Sequence, residues 1–215
     1  MSNKEINDLI KGLASCPSAV PKSIGCPTWR GIVIFMATVL FMLLVVAIHG
    51  LRGDMLPLFN GMCQIALLVA ALTGLSAFVA STHLMAPDCY GRRWLVALPF
   101  VLFGVLVTFA VAGYWHYPMD VWHFHWDIVY KCWINFWLFS FVPLAFVIYK
   151  ARKGATIYPA QLAFLQSLGV GAVGWIGQRL TCNMEAPQYV YLIQWLPILL
   201  VGTLMGVFAR RLYRW

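Results

Sequence analysis

Apolar residues gather into six long stretches along this chain: Gly31–Gly50, Gly61–Leu84, Trp94–Trp115, Val129–Tyr149, Ile157–Leu180 and Val190–Ala209. Only short polar pieces separate them. The hydrocarbon core of a bilayer, ~30 Å thick, takes roughly 20 helical residues at about 1.5 Å each. Each stretch therefore predicts a membrane-crossing helix. Ahead of them the pattern changes. Within Asn3–Ala14 the apolar residues Ile6, Leu9, Ile10 and Leu13 fall at the i, i+3, i+4, i+7 spacing of one helical face, with Lys4, Glu5, Asp8 and Lys11 elsewhere. Pro17, Pro21 and Pro27 then predict an extended connector that no helix crosses. The chain thus divides into a leader with its connector, residues 1–30, and a transmembrane domain, residues 31–215. The expected fold is all-α, a polytopic bundle of six transmembrane helices.

Composition excludes a soluble domain, since 62% of residues are hydrophobic and only 10% are charged. The leader is too short for an independent core and lacks the form of a signal peptide, so the first membrane helix is expected to act as the targeting signal. The net charge of +8 would suit nucleic acid, but the cations sit at helix ends. With both termini cytoplasmic, the inside pieces hold twelve: Lys4, Lys11, Lys22, Arg30, Arg92, Arg93, Lys150, Arg152, Lys153, Arg210, Arg211 and Arg214. The outside holds three, Arg52, Lys131 and Arg179. Short cytoplasmic loops carry such an excess, which sets both termini inside. Trp29, Trp94, Trp115, Trp133 and Trp215 lie near the predicted interfaces, where amphipathic rings prefer the headgroup level, with packing between helices equally open for Trp133 and Trp137.

A short amphipathic helix is not stable alone in water, so the leader wants a surface. Its near-balanced polar face favours a partner protein or the bundle's own end over lipid alone. Within the spans no ionisable residue lies near a centre, which counts against a transporter. Gln64, Thr108, Asn135 and Gln178 are read as interhelical hydrogen-bonding positions. Gly169, Gly171, Gly174 and Gly177 in the fifth span, and the G-x-x-x-G pair Gly202 and Gly206 in the sixth, predict close packing within the bundle.

Six cysteines divide by side. Cys16, Cys26 and Cys89 fall inside; Cys63, Cys132 and Cys182 fall at the outer ends of the second, fourth and fifth spans. Cys132 and Cys182 sit at similar depth, so a disulfide, which needs Cα atoms ~4.4–6.8 Å apart, and two separately buried thiols both remain open on spacing. His49, His116, His123 and His125 gather on the same side with Asp120 and Asp127. Histidine and thiolate suit soft cations, but H-x-H alone is a weak signal, and the segment is read as a structural outer loop. No metal or other cofactor is expected. His83 is read as an interfacial residue near the inner end of the second span. Cys16-Pro17 and Cys26-Pro27 are read as connector residues.

Several short motifs run together through the chain. The leader carries D-L-I-x-x-L-A (Asp8–Ala14) and G-L-R-x-D follows the first span (Gly50–Asp54). Cys132 opens the fourth span and Pro143 lies within it. A basic loop leads through Gly154, Ala155 and Pro159 to the glycine-rich fifth span ending near Cys182, and the chain closes on R-R-L-x-R-W (Arg210–Trp215). In these features the sequence resembles the NrsF family, six-helix inner-membrane anti-sigma factors that negatively regulate extracytoplasmic-function sigma factors. The resemblance implies a multi-pass inner-membrane protein with no catalysis of its own and no direct contact with nucleic acid. Its leader, through Ile6, Leu9, Ile10 and Leu13, and its inner face would hold the sigma factor at the membrane. Cys132 and Cys182 match the outer cysteine pair that carries the stress signal, redox or heavy-metal. The fourth and fifth spans both end on the inner side at the basic loop Lys150–Lys153, so a change in their packing is expected to reach the sigma-binding surface through rigid elements. The sequence departs from the pattern in its extra thiols, Cys63 among them, and in its histidine-rich outer piece. Of the competing readings, a membrane thiol oxidoreductase would want a C-x-x-C pair, which this chain lacks, and a small-molecule transporter would want intramembrane charge.

Overall fold

The computed structural model describes residues 26–54, 61–85, 93–116, 126–154, 156–182 and 194–213, the side chains of residues 93, 113–116, 128 and 132 excepted. Through them run six helices: α1 Pro27–His49, α2 Gly61–Leu84, α3 Arg93–His116, α4 Trp126–Ala151, α5 Pro159–Thr181 and α6 Gln194–Leu212. No strand occurs among the described residues. All six contain a stretch long and apolar enough to cross a membrane, which makes this an all-α, multi-pass membrane protein.

Prolines and glycines set several boundaries. Pro27, expected in the connector, instead opens α1, as Pro159 opens α5. The fixed φ of proline suits the first helical position, and its missing N–H is not needed there. At the far end of α1 the chain turns at Gly50, whose φ of 87° is open to glycine and strained for other residues. Its N–H still donates to Val46 O at 2.9 Å. The fourth span extends three residues earlier than its apolar run, to Trp126.

α5 is the axis of the bundle, packing against α1, α2, α4 and α6. Its glycines make this possible, each at a different place. A methyl added at Gly169 would press on the Phe78 ring of α2, and one at Gly171 on Ile198 of α6. At Gly174 it would stand 2.8 Å from Ser140 Oγ of α4, and at Gly177 2.7 Å from Met42 Cγ of α1 and 2.9 Å from the Phe139 ring. Without a hydrophobic drive between helices in lipid, such close approach supplies the packing that holds a bundle together. α1 and α2 meet as tightly at Gly31, where a Cβ would lie 2.6 Å from Val79 Cα. The G-x-x-x-G pair of α6 is only half used: Gly202 lies under Ser167 and Phe164, while Gly206 has nothing within 4 Å.

α3 lies at the edge, mainly along α2, with Phe100 stacked on Phe164 of α5 and Phe103 edge-on to Trp195 of α6. Several hydroxyls are satisfied within their own helices. Thr38 donates to Ile34 O, Thr73 to Val69 O, Ser81 to Phe78 O and Ser167 to Phe164 O, which spares each the cost of an unpaired polar group in a dry interior. Thr108, expected to bond between helices, does the same, donating to Val105 O at 2.7 Å on the exposed side of α3.

Candidate functional site at the two ends of the bundle

Polar side chains collect at the two ends of the six-helix stack, here called the Cys182 end and the leader end. At the Cys182 end, α5 finishes with Thr181 donating to Gly177 O and the Cys182 N–H donating to Gln178 O at 2.8 Å. The turn after α1 supplies a further donor, because Arg52 N–H meets Leu180 O at 3.0 Å. The last carbonyls of a helix lack intrahelical partners and carry partial negative charge, so a neighbouring backbone donor and nearby cations both suit this terminus. Two guanidinium side chains are buried here, Arg52 at 4% exposure and Arg179 at 6%. Arg179 Nη2 lies 3.5 Å from the half-buried Cys63 Sγ in the first turn of α2 and donates to it.

Cys182, half-buried, caps α5. Residue 132 lies near the start of α4, and its side chain falls outside the described residues. The register of the two antiparallel helices nonetheless fixes its level. Gly174 of α5 faces Ser140 of α4, and eight residues further toward this end each helix reaches 182 and 132, so both backbones descend by ~12 Å and arrive at one depth. Chemically this end offers thiols, which can be oxidised or take a soft cation. No group of three or more metal-ligating side chains occurs among the described residues. His123, His125 and Asp120 lie outside them, as does the side chain of His116.

The leader end is built differently. Thr82 Oγ1 of α2 lies 2.8 Å from Pro27 O of α1 and 2.8 Å from Val79 O of its own helix, so its one proton is shared between the two, and the next residue, His83, pairs through Nε2 with Thr28 Oγ1 at 3.1 Å. His83 is 6% exposed, so at the end of its span it is buried between helices as a clamp. Arg152 Nε donates to Leu212 O at 2.9 Å, tying the α4–α5 loop to the end of α6. Beyond α6, Tyr213 turns inward and donates to Gln166 Oε1 of α5 at 2.6 Å. Burial pushes the Tyr213 phenol well above the usual tyrosine range, against the opposing pull of the Arg152 cation, and keeps it a donor. Arg30, Lys150, Arg152, Lys153, Arg210 and Arg211 are exposed around this end, while the described carboxylates, Asp54 and Asp127, lie at the other. Lys150 and Lys153 fold back over Phe146 and Tyr149, 5.5 and 4.5 Å from the ring centres. Ile6, Leu9, Ile10 and Leu13 lie outside the described residues.

Sequence reasoning missed the buried arginines and the His83 clamp. Arg52 and Arg179 counted only as two of three outer cations. A weak signal existed, since Arg52 is the arginine of G-L-R-x-D and Arg179 stands three residues before Cys182, at the end where cations are scarce.

Set against known proteins, residues 17–215 fit the model of the family described as NrsF, negative regulator of sigma F. No curated protein and no solved structure matches.

Proposed function

The chain belongs to the NrsF family of negative regulators of sigma F, and from this we propose that it is an anti-sigma factor of the inner membrane that holds an extracytoplasmic-function sigma factor away from RNA polymerase and frees it under redox or heavy-metal stress. The observation that carries the reading is the coincidence of that family match with six membrane-length helices. In this reading both termini are cytoplasmic, as the distribution of cations favours, so the leader end faces the sigma factor and the Cys182 end faces the periplasm. Cys132 and Cys182, level with one another, act there as one signalling pair, because thiols at that face meet oxidants and metals first. The protein performs no catalysis of its own. Binding draws on the leader, whose apolar face of Ile6, Leu9, Ile10 and Leu13 suits a groove on a partner.

Co-purification tests the reading. The full-length tagged chain, extracted from membranes, should bring down the sigma factor, and Leu9→Asp with Leu13→Asp should release it and switch on sigma-dependent transcription without stress. Persistent repression by a normally accumulating double variant would move the binding site off the leader. Sidedness is checked by alkaline phosphatase fusions: inactive after Trp215, active after His125. The reverse pattern would overturn the assignment of both faces.

A further inference from the structure

We propose that α2 carries the state of the Cys182 end to the point where the leader leaves the bundle, with Arg179 and the Thr82–His83 pair as positioning residues at its two ends. The proposal rests on the reading above, in which outer thiols sense and the leader binds. At one end of α2, Cys63 Sγ accepts from Arg179 Nη2 at 3.5 Å. Arg179 precedes Cys182 by three residues on α5, so a reaction at Cys182 that re-seats the end of α5 also re-seats this guanidinium. The contact is partly shielded from water, Arg179 being 6% exposed and Cys63 half-buried, and a hydrogen bond in such surroundings is electrostatically stronger than at a surface.

At the other end, Thr82 and His83 hold Pro27 O and Thr28 Oγ1 at 2.8 and 3.1 Å. Pro27 and Thr28 are the first two residues of α1, and the connector from the leader enters there. From Cys63 to Thr82 is nineteen residues, ~29 Å of continuous helix, about the thickness of the hydrocarbon core. Little slack exists along the way: the α1–α2 approach at Gly31 leaves no room for a methyl, and Gly74 of α2 lies against Val173 of α5. The route expected from sequence, through the α4–α5 loop, converges on the same place, since a Cβ at Gly154 would stand 2.9 Å from Met85 Cβ, one residue past α2. A shift or rotation of α2 therefore moves the leader's point of exit. The two states are the Cys63–Arg179 contact made and broken, and packed interfaces of this kind switch between discrete arrangements. The test measures the coupling directly.

The test uses the full-length chain, with Cys16 and Cys89 replaced by Ser, in inside-out vesicles and in cells carrying a sigma-dependent reporter. The exposed Cys26 at the start of α1 is labelled with an impermeant maleimide before and after diamide, a disulfide-forming oxidant. Diamide should change the Cys26 labelling rate several-fold and raise the reporter. Arg179→Gln and Thr82→Val should each bring the labelling ratio close to one and blunt the reporter. The double variant should do no more than either alone, because both interrupt one route, and Arg179→Lys should restore part of the response. A residue important only for packing would not make labelling at Cys26 depend on diamide. If Arg179→Gln fails to accumulate, Cys63→Ala removes the acceptor and should give the same loss, whereas Cys63→Ser, which removes the thiol and keeps an acceptor, should retain part of the response. Wild-type responses in both single variants, multiplying effects in the double, or a Cys26 rate indifferent to diamide would overturn the proposal. A diamide response that survives Cys132→Ser with Cys182→Ser would overturn the sensing reading and this proposal together. A response lost in that pair variant but kept in Arg179→Gln and Thr82→Val would overturn the role of α2 alone.

Discussion

Helices α3 and α5 pass through the same bilayer and solve opposite problems. α3 is among the most apolar of the six, yet only 11% of its span is buried in the protein; α5 is the least apolar, and 78% of its span is buried. In water the order would be reversed, with the apolar helix inside. In a membrane the lipid receives apolar surface as readily as a protein core does, so an apolar side chain gains little from being inside. Small and polar residues are what an interior position rewards. Glycines there admit neighbouring backbones, and Gln166, Gln178 and Arg179 escape hydrocarbon.

The largest expected effect separates the two helices directly. Gly177→Leu in α5 would drive into Met42 and Phe139 and should abolish accumulation of folded protein; even Gly177→Ala should cost about 1–3 kcal/mol by overpacking. Gly104→Leu in α3, with nothing within 4 Å, should leave folding intact. Denaturant titration in mixed micelles checks both, and equal losses would break the contrast. Next comes the polar core of α5. Tyr213→Phe leaves Gln166 Oε1 buried without its donor, at a cost of about 1–3 kcal/mol. Because the folded phenol titrates above the ordinary value of 10.0, the folded state holds its proton where the unfolded chain loses one. Stability from this group is full below pH 10, falls as pH rises above it, and should fall less steeply in Tyr213→Phe. Thermal scans across alkaline pH measure the slope. The smallest effect is at Gly206. Gly206→Ala should change stability by less than ~0.5 kcal/mol, whereas Gly202→Ala, with Ser167 Oγ 2.6 Å from the added methyl, should cost several times that. A damaging Gly206→Ala would mean that this face of α6 has a neighbour beyond the lipid.

The six spans were legible because little besides a bilayer calls for an apolar run of that length, and Gly61–Leu84 agrees at both ends. Their packing was not. A run that is apolar all round does not reveal which side meets protein, and a glycine stripe announces close contact without saying with what. Pro27 was misplaced because proline both ends and begins helices, and only the capping context decides between them. Among the site residues, the common depth of residues 132 and 182 could be read from span lengths. The burial of His83, Arg52 and Arg179 could not, since an ionisable residue near a span end has the same sequence signature whether it reaches the headgroups or turns inward.

The polarity of α5 also bears on how the protein is made. A segment with four glycines, two buried glutamines and an arginine partitions poorly into lipid on its own, because insertion is governed by the side chains each helix presents to hydrocarbon. Three of the helices that cradle it, α1, α2 and α4, emerge from the ribosome earlier, and α6 follows. The chain order therefore suits an assembly in which the earlier helices offer α5 its polar surroundings and α6 closes over it.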